Sequence, residues 1–215
     1  MAFIKPHRLK YVHSYLPKTD NFKILDIGAG SHSPTITKKY YPNCEYSGVD
    51  ITSNYNNSED DLKAMDHFYE MDLTKLEFAS IPDNYFDVMI MSHVIEHLYN
   101  GDLVLKALIS KLKPGGIFYI EFPAERSVSL PSKKETLNFF DDDTHVRIYS
   151  LKEICNLFLL QNCIIVKAGT VKSWFNIFLM PIKIIWQTIT KGYVKGGVFW
   201  DWYGFADFVL IRRKT

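Results

Sequence analysis

A pair of glycines, several acids and a few histidines are the residues whose types and spacing could do chemistry in this chain. Gly28-Ala29-Gly30 follows directly on the apolar run at 23–27. A glycine turn between a strand and a helix lets backbone approach a ligand closely and aims free N–H groups at it. Asp50 closes the next apolar run, at 45–49. It stands at about the 20-residue spacing from which an acid can accept hydrogen bonds from two ribose hydroxyls. A ribose-bearing cofactor is implied. The G-x-G-x-x-G dinucleotide pattern would need glycine where Ser33 stands, which disfavours NAD, because the third glycine permits close helix packing around a pyrophosphate.

His93-Val94-Ile95-Glu96-His97 spells H-x-x-E-H, the pattern in which two helical histidines bind zinc and a glutamate acts as base. Its context argues otherwise: it directly follows a strand candidate at 86–91, and no third ligand is identified. No metal is assigned. His97 reads instead as a histidine near a substrate pocket, and Glu96 as an acid at a helix start. His145, beside Asp142 and Asp143, titrates near neutral pH and could be oriented by either acid, which makes it the candidate general base. His97 and Asp143 complete the catalytic candidates. Arg126 and Arg147 could bind a phosphate or carboxylate on a substrate, and Tyr149 is grouped with them. The structural alternative is a solvated turn at 141–143 and simple turn-forming roles for Asp50 and Asp72.

Elements must hold these residues in place. Strand candidates at 23–27, 45–49, 68–71, 86–91, 117–122, 163–167 and 205–211 alternate with helix candidates around 34–41, 101–112 and 151–160, by periodicity and turn signals. That order predicts an α/β fold, a mainly parallel sheet with helices on both faces. With 215 residues, 47% of them hydrophobic, and no repeat or long linker, residues 1–215 read as one domain. Lys plus Arg number 25 against 24 Asp plus Glu; this balance gives no global attraction to nucleic acid, and no basic stripe is visible. Cys44, Cys155 and Cys163 are scattered, which suits a reduced, cytoplasmic protein. The opening residues 1–8 do not read as a secretory signal, and Asn176, Pro181 and Lys183 interrupt the longest apolar tract, 174–189, so no clean membrane span is expected.

The segments Ile24-Leu25-Asp26-Ile27-Gly28-Ala29-Gly30, Asp50, Met71-Asp72, Phe86-Asp87-Val88, Ser92-His93-Val94-Ile95-Glu96-His97-Leu98 and Leu112-Lys113-Pro114-Gly115-Gly116 together resemble class I S-adenosylmethionine-dependent methyltransferases. The resemblance spans about 22–122. It implies a Rossmann-like sheet with an antiparallel last strand, S-adenosyl-L-methionine as cofactor and S-adenosyl-L-homocysteine as product. It places Gly28 and Gly30 under the methionine part, Asp50 at the ribose and Asp72 near the adenine amino group. Asp26 braces the turn, Ser92 and His93 line the pocket, and Ala29, Ile51 and Leu73 are counted among the cofactor contacts. Ser31-His32-Ser33 departs from the small residues usual there.

Residues 123–150 are long for a connection and are expected to fold over the pocket as a substrate loop. Residues 173–200 form an apolar insertion with three readings: a helix on the sheet or at a homodimer contact, a cap over an apolar substrate, and, less favoured because Pro181 breaks a regular helix, membrane contact through Trp174–Trp186. The expected reaction is methyl transfer to a small polar acceptor, most simply O-methylation of a sugar or of a phosphorylated or nucleotide-linked precursor of a surface glycan. N-methylation and a non-catalytic cofactor-binding scaffold are the alternatives.

Overall fold

Strands covered on both faces need apolar residues at almost every position rather than at alternate ones. β1 (Lys23–Ile27), β4 (Phe86–Ser92) and β5 (Leu112–Pro123) meet that demand. In the computed structural model, which describes residues 5–15 and 21–215, alternate side chains of these strands enter two separate cores. Leu25, Ile27, Met89, Met91, Phe118 and Ile120 face one side. There they meet Val104, Leu105 and Leu108 of α4 (Gly101–Leu108) and Ile154, Leu157 and Phe158 of α5 (Leu151–Leu160). Ile24, Val88, Ile90 and Tyr119 face the other side, with Leu9 of α1 (His7–Tyr15) and Tyr41 at the end of α2 (Ser33–Tyr40).

The remaining elements are β2 (Glu45–Asp50), α3 (Glu59–Ala64), β3 (His67–Glu70), β6 (Cys163–Thr170), α6 (Trp174–Lys191), α7 (Trp200–Tyr203) and β7 (Ala206–Arg213). The seven strands run in the order β3-β2-β1-β4-β5-β7-β6. β7 is antiparallel to both neighbours, and the other pairs are parallel. This is the Rossmann-like methyltransferase sheet expected, with its antiparallel last strand. Ile27 lies opposite Val49 on one side and Met91 on the other. The loops leaving β1, β2 and β4 therefore emerge along one edge, and those leaving β1 and β4 part to opposite sides, the arrangement that opens a crevice in such sheets.

Several elements differ from the sequence reading. α1 and α3 carry no strong apolar stripe and were not expected; α3 is fixed by a capping box between Ser58 and Asp61. The helix expected at 101–112 ends at Leu108, followed by a tighter turn at Ile109–Lys111. The opening residues 1–4 lie outside the described residues.

The largest correction concerns the apolar insertion. Pro181 does not break it: α6 runs through the proline for 18 residues, held at its start by the Ser173 hydroxyl, which accepts from the Asn176 amide, and closed by Gly192 in a left-handed conformation. Capping at both ends offsets the single bond a proline removes. Nor does the helix pack on the sheet, since none of its residues is buried. Its polar side faces inward: the Asp201 carboxylate accepts from Asn176 Nδ2 (2.9 Å), Lys183 donates to Asn176, and the Gln187 side chain accepts from the Lys195 amide. Trp174, Phe178, Ile182, Ile185, Trp186 and Ile189 face outward, each more than half exposed. No helix among the described residues is long and apolar enough to cross a membrane.

Candidate functional site

The crevice at the strand edge is a cleft of about 790 Å³, within the range of small-molecule sites. At its inner end the chain turns sharply out of β1. The Gly28 and Ala29 amides both donate to the Val49 carbonyl (2.8 and 3.2 Å), tying the turn to β2. Gly28 sits at φ 79°, and a Cβ there would lie 2.3 Å from a Val94 methyl; one on Gly30 would lie 2.8 Å from the Tyr55 carbonyl oxygen. Both positions need glycine, the first for its backbone and both for space. Ala29 is buried and does not line the cleft.

Asp26 is buried beneath this turn, where it accepts from the Tyr46 hydroxyl (2.6 Å) and from Ser33 Oγ. Burial raises its pKa, against the opposing influence of nearby Arg8 and these two hydroxyls. Ser33 thus has its own task where a third glycine would stand. Ser31 and His32 take left-handed conformations (φ 54° and 62°), secured by His32 Nδ1 against Asp61 (2.6 Å) and by Asn57, which accepts from the His32 amide and donates to the Ala29 carbonyl.

Along the cleft wall, Asp50 accepts from the Ile51 amide (2.7 Å) through Oδ1; half-burial raises its pKa. Ile51 is exposed at the mouth of the cleft. Asp72 takes the Thr74 hydroxyl and amide on Oδ1 (2.6 and 2.9 Å), and these bonds pull its pKa down. Leu73 and Ser92 line the same wall. Arg8 of α1 also reaches the cleft; its Nη2 donates to Ser33, while its buried Nε has no partner. An orphaned guanidinium N–H beside a glycine turn is suited to a carboxylate. No sequence signal points to it, since α1 has no clear pattern.

The far end of the cleft is built on a turn at Ile95–His97. His93 is left-handed (φ 55°), so H-x-x-E-H is not on a helix and His93 and His97 do not share a face. His93 instead bridges Glu96 (3.1 Å) and Glu121 (3.2 Å). Burial alone would lower its pKa, but the hydrogen bonds to the two carboxylates outweigh it and push it up to about 10. Behind it, Glu121 accepts from Tyr119, whose hydroxyl meets His7 Nδ1 at 2.8 Å. His97 and His145 stand side by side, ring centroids 4.9 Å apart. His97 Nδ1 contacts the Thr144 carbonyl (3.2 Å) and hydroxyl (2.9 Å); His145 Nδ1 contacts the Phe139 carbonyl (2.7 Å).

Residues 123–150 do lie over the cleft, contributing Thr136, Asp142, Thr144 and His145. Asp141 organises the segment by accepting from Ser132 Oγ and the amides of Lys133, Leu137 and Asn138. Trp200, reached through the insertion, donates to the Thr136 carbonyl (2.6 Å) and stacks on Phe205, and both line the cleft.

Besides Ala29, four expected residues are placed outside the cleft. Asp143 is exposed and outside the cleft; the acid facing His145 is Asp142, at 3.8 Å. Arg126 is paired with Asp207 (2.9 Å) and the Gly204 carbonyl, and Arg147 with Asp102 (2.9 Å) and Glu153 (2.7 Å). Both arginines thus serve neighbouring acids, where an ion pair and good geometry occupy the fork. Tyr149 is buried, bonded to the Leu98 carbonyl (3.2 Å), and fills the space left by Gly101.

The sequence profile of a family described as a methyltransferase domain matches residues 6–168. No curated protein matches the sequence. Among solved structures, an S-adenosylmethionine-dependent methyltransferase from Archaeoglobus fulgidus is 21% identical (TM-score 0.61; 96% of this chain and 91% of that one). One from Mesorhizobium loti is 13% identical (0.66; 95% and 96%). Haemonchus contortus phosphoethanolamine N-methyltransferase 2, in complex with phosphomonomethylethanolamine and S-adenosylhomocysteine, is 16% identical (0.67; 97% and 52%). At these identities the likeness is one of fold.

Proposed function

The chain belongs to the S-adenosylmethionine-dependent methyltransferase family, and from that premise we propose that it methylates an oxygen of a small polar acceptor, a sugar or a glycan precursor. When bound, the cofactor would supply an electrophilic methyl group to an acceptor oxygen, its sulfur keeping the electron pair of the carbon–sulfur bond. The chain's task is to hold donor and acceptor in line and to accept the acceptor's proton.

The residues fit the cofactor. The Gly28 and Gly30 cradle excludes any side chain, Arg8 offers an unpartnered N–H for an amino-acid carboxylate, and Asp50, with one oxygen free of the Ile51 amide, is suited to ribose hydroxyls. Asp72, Leu73 and Ile51 form the wall against which a base can lie. The observation that carries the acceptor reading is the far end of the same cleft, where His97 and His145 both present Nε2 with Nδ1 engaged by backbone carbonyls. Such tautomers leave Nε2 as proton acceptors. Because Arg126 and Arg147 are tied in ion pairs, recognition of a phosphate by them is not part of this reading.

Titration calorimetry with S-adenosylhomocysteine tests the cofactor assignment. Wild type is expected to bind, and Asp50→Ala to bind roughly 10- to 100-fold more weakly, the loss of hydrogen bonds to a charged acceptor. Binding of NAD in place of S-adenosylhomocysteine would overturn it.

A membrane-surface setting for the acceptor, such as a lipid-linked glycan precursor, is favoured by one observation: α6 turns its polar side inward and its apolar stripe outward. Trp174 and Trp186 lie on that stripe, exposed Lys172 precedes the helix and exposed Lys191 ends it, the composition of a helix lying in a lipid interface.

A further inference from the structure

Three donors, the adjacent Glu96 and His97 and the distant His145, converge at the acceptor end of the cleft. Ligand atoms of Glu96, His97 and His145 all lie within 4.8 Å of one another. The Glu96 carboxylate is almost fully buried, 1% exposed. Its Oε1 meets His93, but Oε2 has no hydrogen-bond partner. A buried, unpartnered carboxylate oxygen is costly, and an ion or a ligand is the usual remedy.

The two histidines are prepared in the same sense. A carbonyl only accepts, so the contacts of His145 Nδ1 with the Phe139 carbonyl and of His97 Nδ1 with the Thr144 carbonyl put the proton on Nδ1 in each ring. Thr144 Oγ1 donates its own proton to Asp142 and so can only accept from His97. Both Nε2 atoms are left with lone pairs. Tying the remote ring nitrogen to a backbone carbonyl is how metal-ligating histidines are oriented. His145 Nε2 is 4.0 Å from Glu96 Oε1 and 3.8 Å from Asp142 Oδ2, beyond hydrogen-bonding distance of either. Ligand atoms sharing one ion at about 2.0–2.2 Å stand some 3–3.5 Å apart, so a contraction of about 1.5 Å at the widest pair would close the set.

We propose that Glu96, His97 and His145 bind a divalent transition-metal ion at the acceptor end of the cleft, with coordination positions left open for an acceptor oxygen. Two imidazoles and one carboxylate suit zinc, cobalt, iron(II) or manganese rather than magnesium or calcium, which favour oxygen ligands throughout. With both Nε2 lone pairs taken up as ligands, the two rings would hold the ion rather than act as bases, and the ion would supply acidification and orientation of an acceptor hydroxyl whose proton passes to solvent water. This use of the ion rests on the methyl-transfer reading; the ion site itself does not.

The test is titration of the metal-free chain with cobalt(II), followed by visible absorption and calorimetry, with S-adenosylhomocysteine affinity measured on every sample. Wild type is expected to take up one equivalent with the ligand-field bands of a nitrogen- and oxygen-ligated ion. His145→Asn and Glu96→Gln are each expected to weaken uptake roughly 100-fold or more. His67→Asn, which removes a surface histidine beside Glu45, is expected to leave it unchanged. Retained S-adenosylhomocysteine binding shows that a variant is folded; if one variant loses it, the other decides. No uptake by wild type, or equal uptake by a folded variant, overturns the proposal. Cobalt binding without S-adenosylhomocysteine affinity upholds the ion and sinks the cofactor reading, and the converse does the reverse.

Discussion

The two ends of the cleft are built differently. At the cofactor end, position is set by backbone: the Gly28 turn is bonded to β2, and added atoms collide with Val94 or Tyr55. At the acceptor end, side chains are held by carbonyls of the covering loop: His145 by Phe139 within that loop, His97 by Thr144 and Trp200 by Thr136 from elsewhere in the chain. A turn continuous with buried strands inherits the rigidity of the sheet, whereas a loop held by polar contacts is only as firm as those contacts. A common donor and a variable acceptor suit this division, because loops can change without disturbing the sheet.

Gly28→Ala should break the cofactor end most severely. The left-handed conformation and the collision with Val94 together predict a loss of about 2–4 kcal/mol in stability, read as a lower denaturant midpoint, along with loss of S-adenosylhomocysteine binding. A fully stable variant that binds normally would show that the turn is not held by backbone geometry.

The acceptor end should yield to a milder insult. Burial alone would raise the Asp141 pKa, but the Ser132 hydroxyl and the amides of Lys133, Leu137 and Asn138 outweigh it and hold it down to about 2. A depressed carboxylate contributes stability that is complete above its unfolded value, near 3.8, and disappears as pH falls through the folded value. Amide exchange in residues 132–141 should therefore accelerate between about pH 4 and 2, ahead of β1 and β4. Asp141→Asn should produce the same local loosening at pH 7, a cost of about 1–2 kcal/mol confined to the loop. Uniform acceleration across the sheet would erase the proposed contrast.

The smallest effect on the fold is expected from α6. Trp174→Ser with Trp186→Ser should change stability by under about 0.5 kcal/mol, because neither side chain is buried. Pelleting with anionic vesicles should nevertheless fall from clear to negligible. Failure of the wild type to pellet removes the membrane-surface reading and leaves the soluble acceptor.

Much of the cofactor end was legible in the sequence because its signals are local. A glycine turn, an acid at a strand end and a run of apolar residues each lie within a few positions of what they organise, and the mainly parallel sheet follows from the alternation of strands and helices. Arg8 escaped because a short helix of mixed residues gives no period to read. Arg126 and Arg147 were read as ligand groups because a chain shows the cation but not the acid that the fold sets against it. Pro181 was read as a helix breaker because its cost is local, whereas the capping that outweighs it depends on how both ends close.

The sequence by itself determined the strands, their mainly parallel sheet and the glycine and aspartate positions along the cleft, since these depend on neighbours along the chain. The tertiary structure alone decided that His97 stands with His145 rather than with His93, and that α6 turns its apolar side away from the protein. Both outcomes depend on contacts between residues far apart in sequence, which hydrophobic period and residue type do not encode.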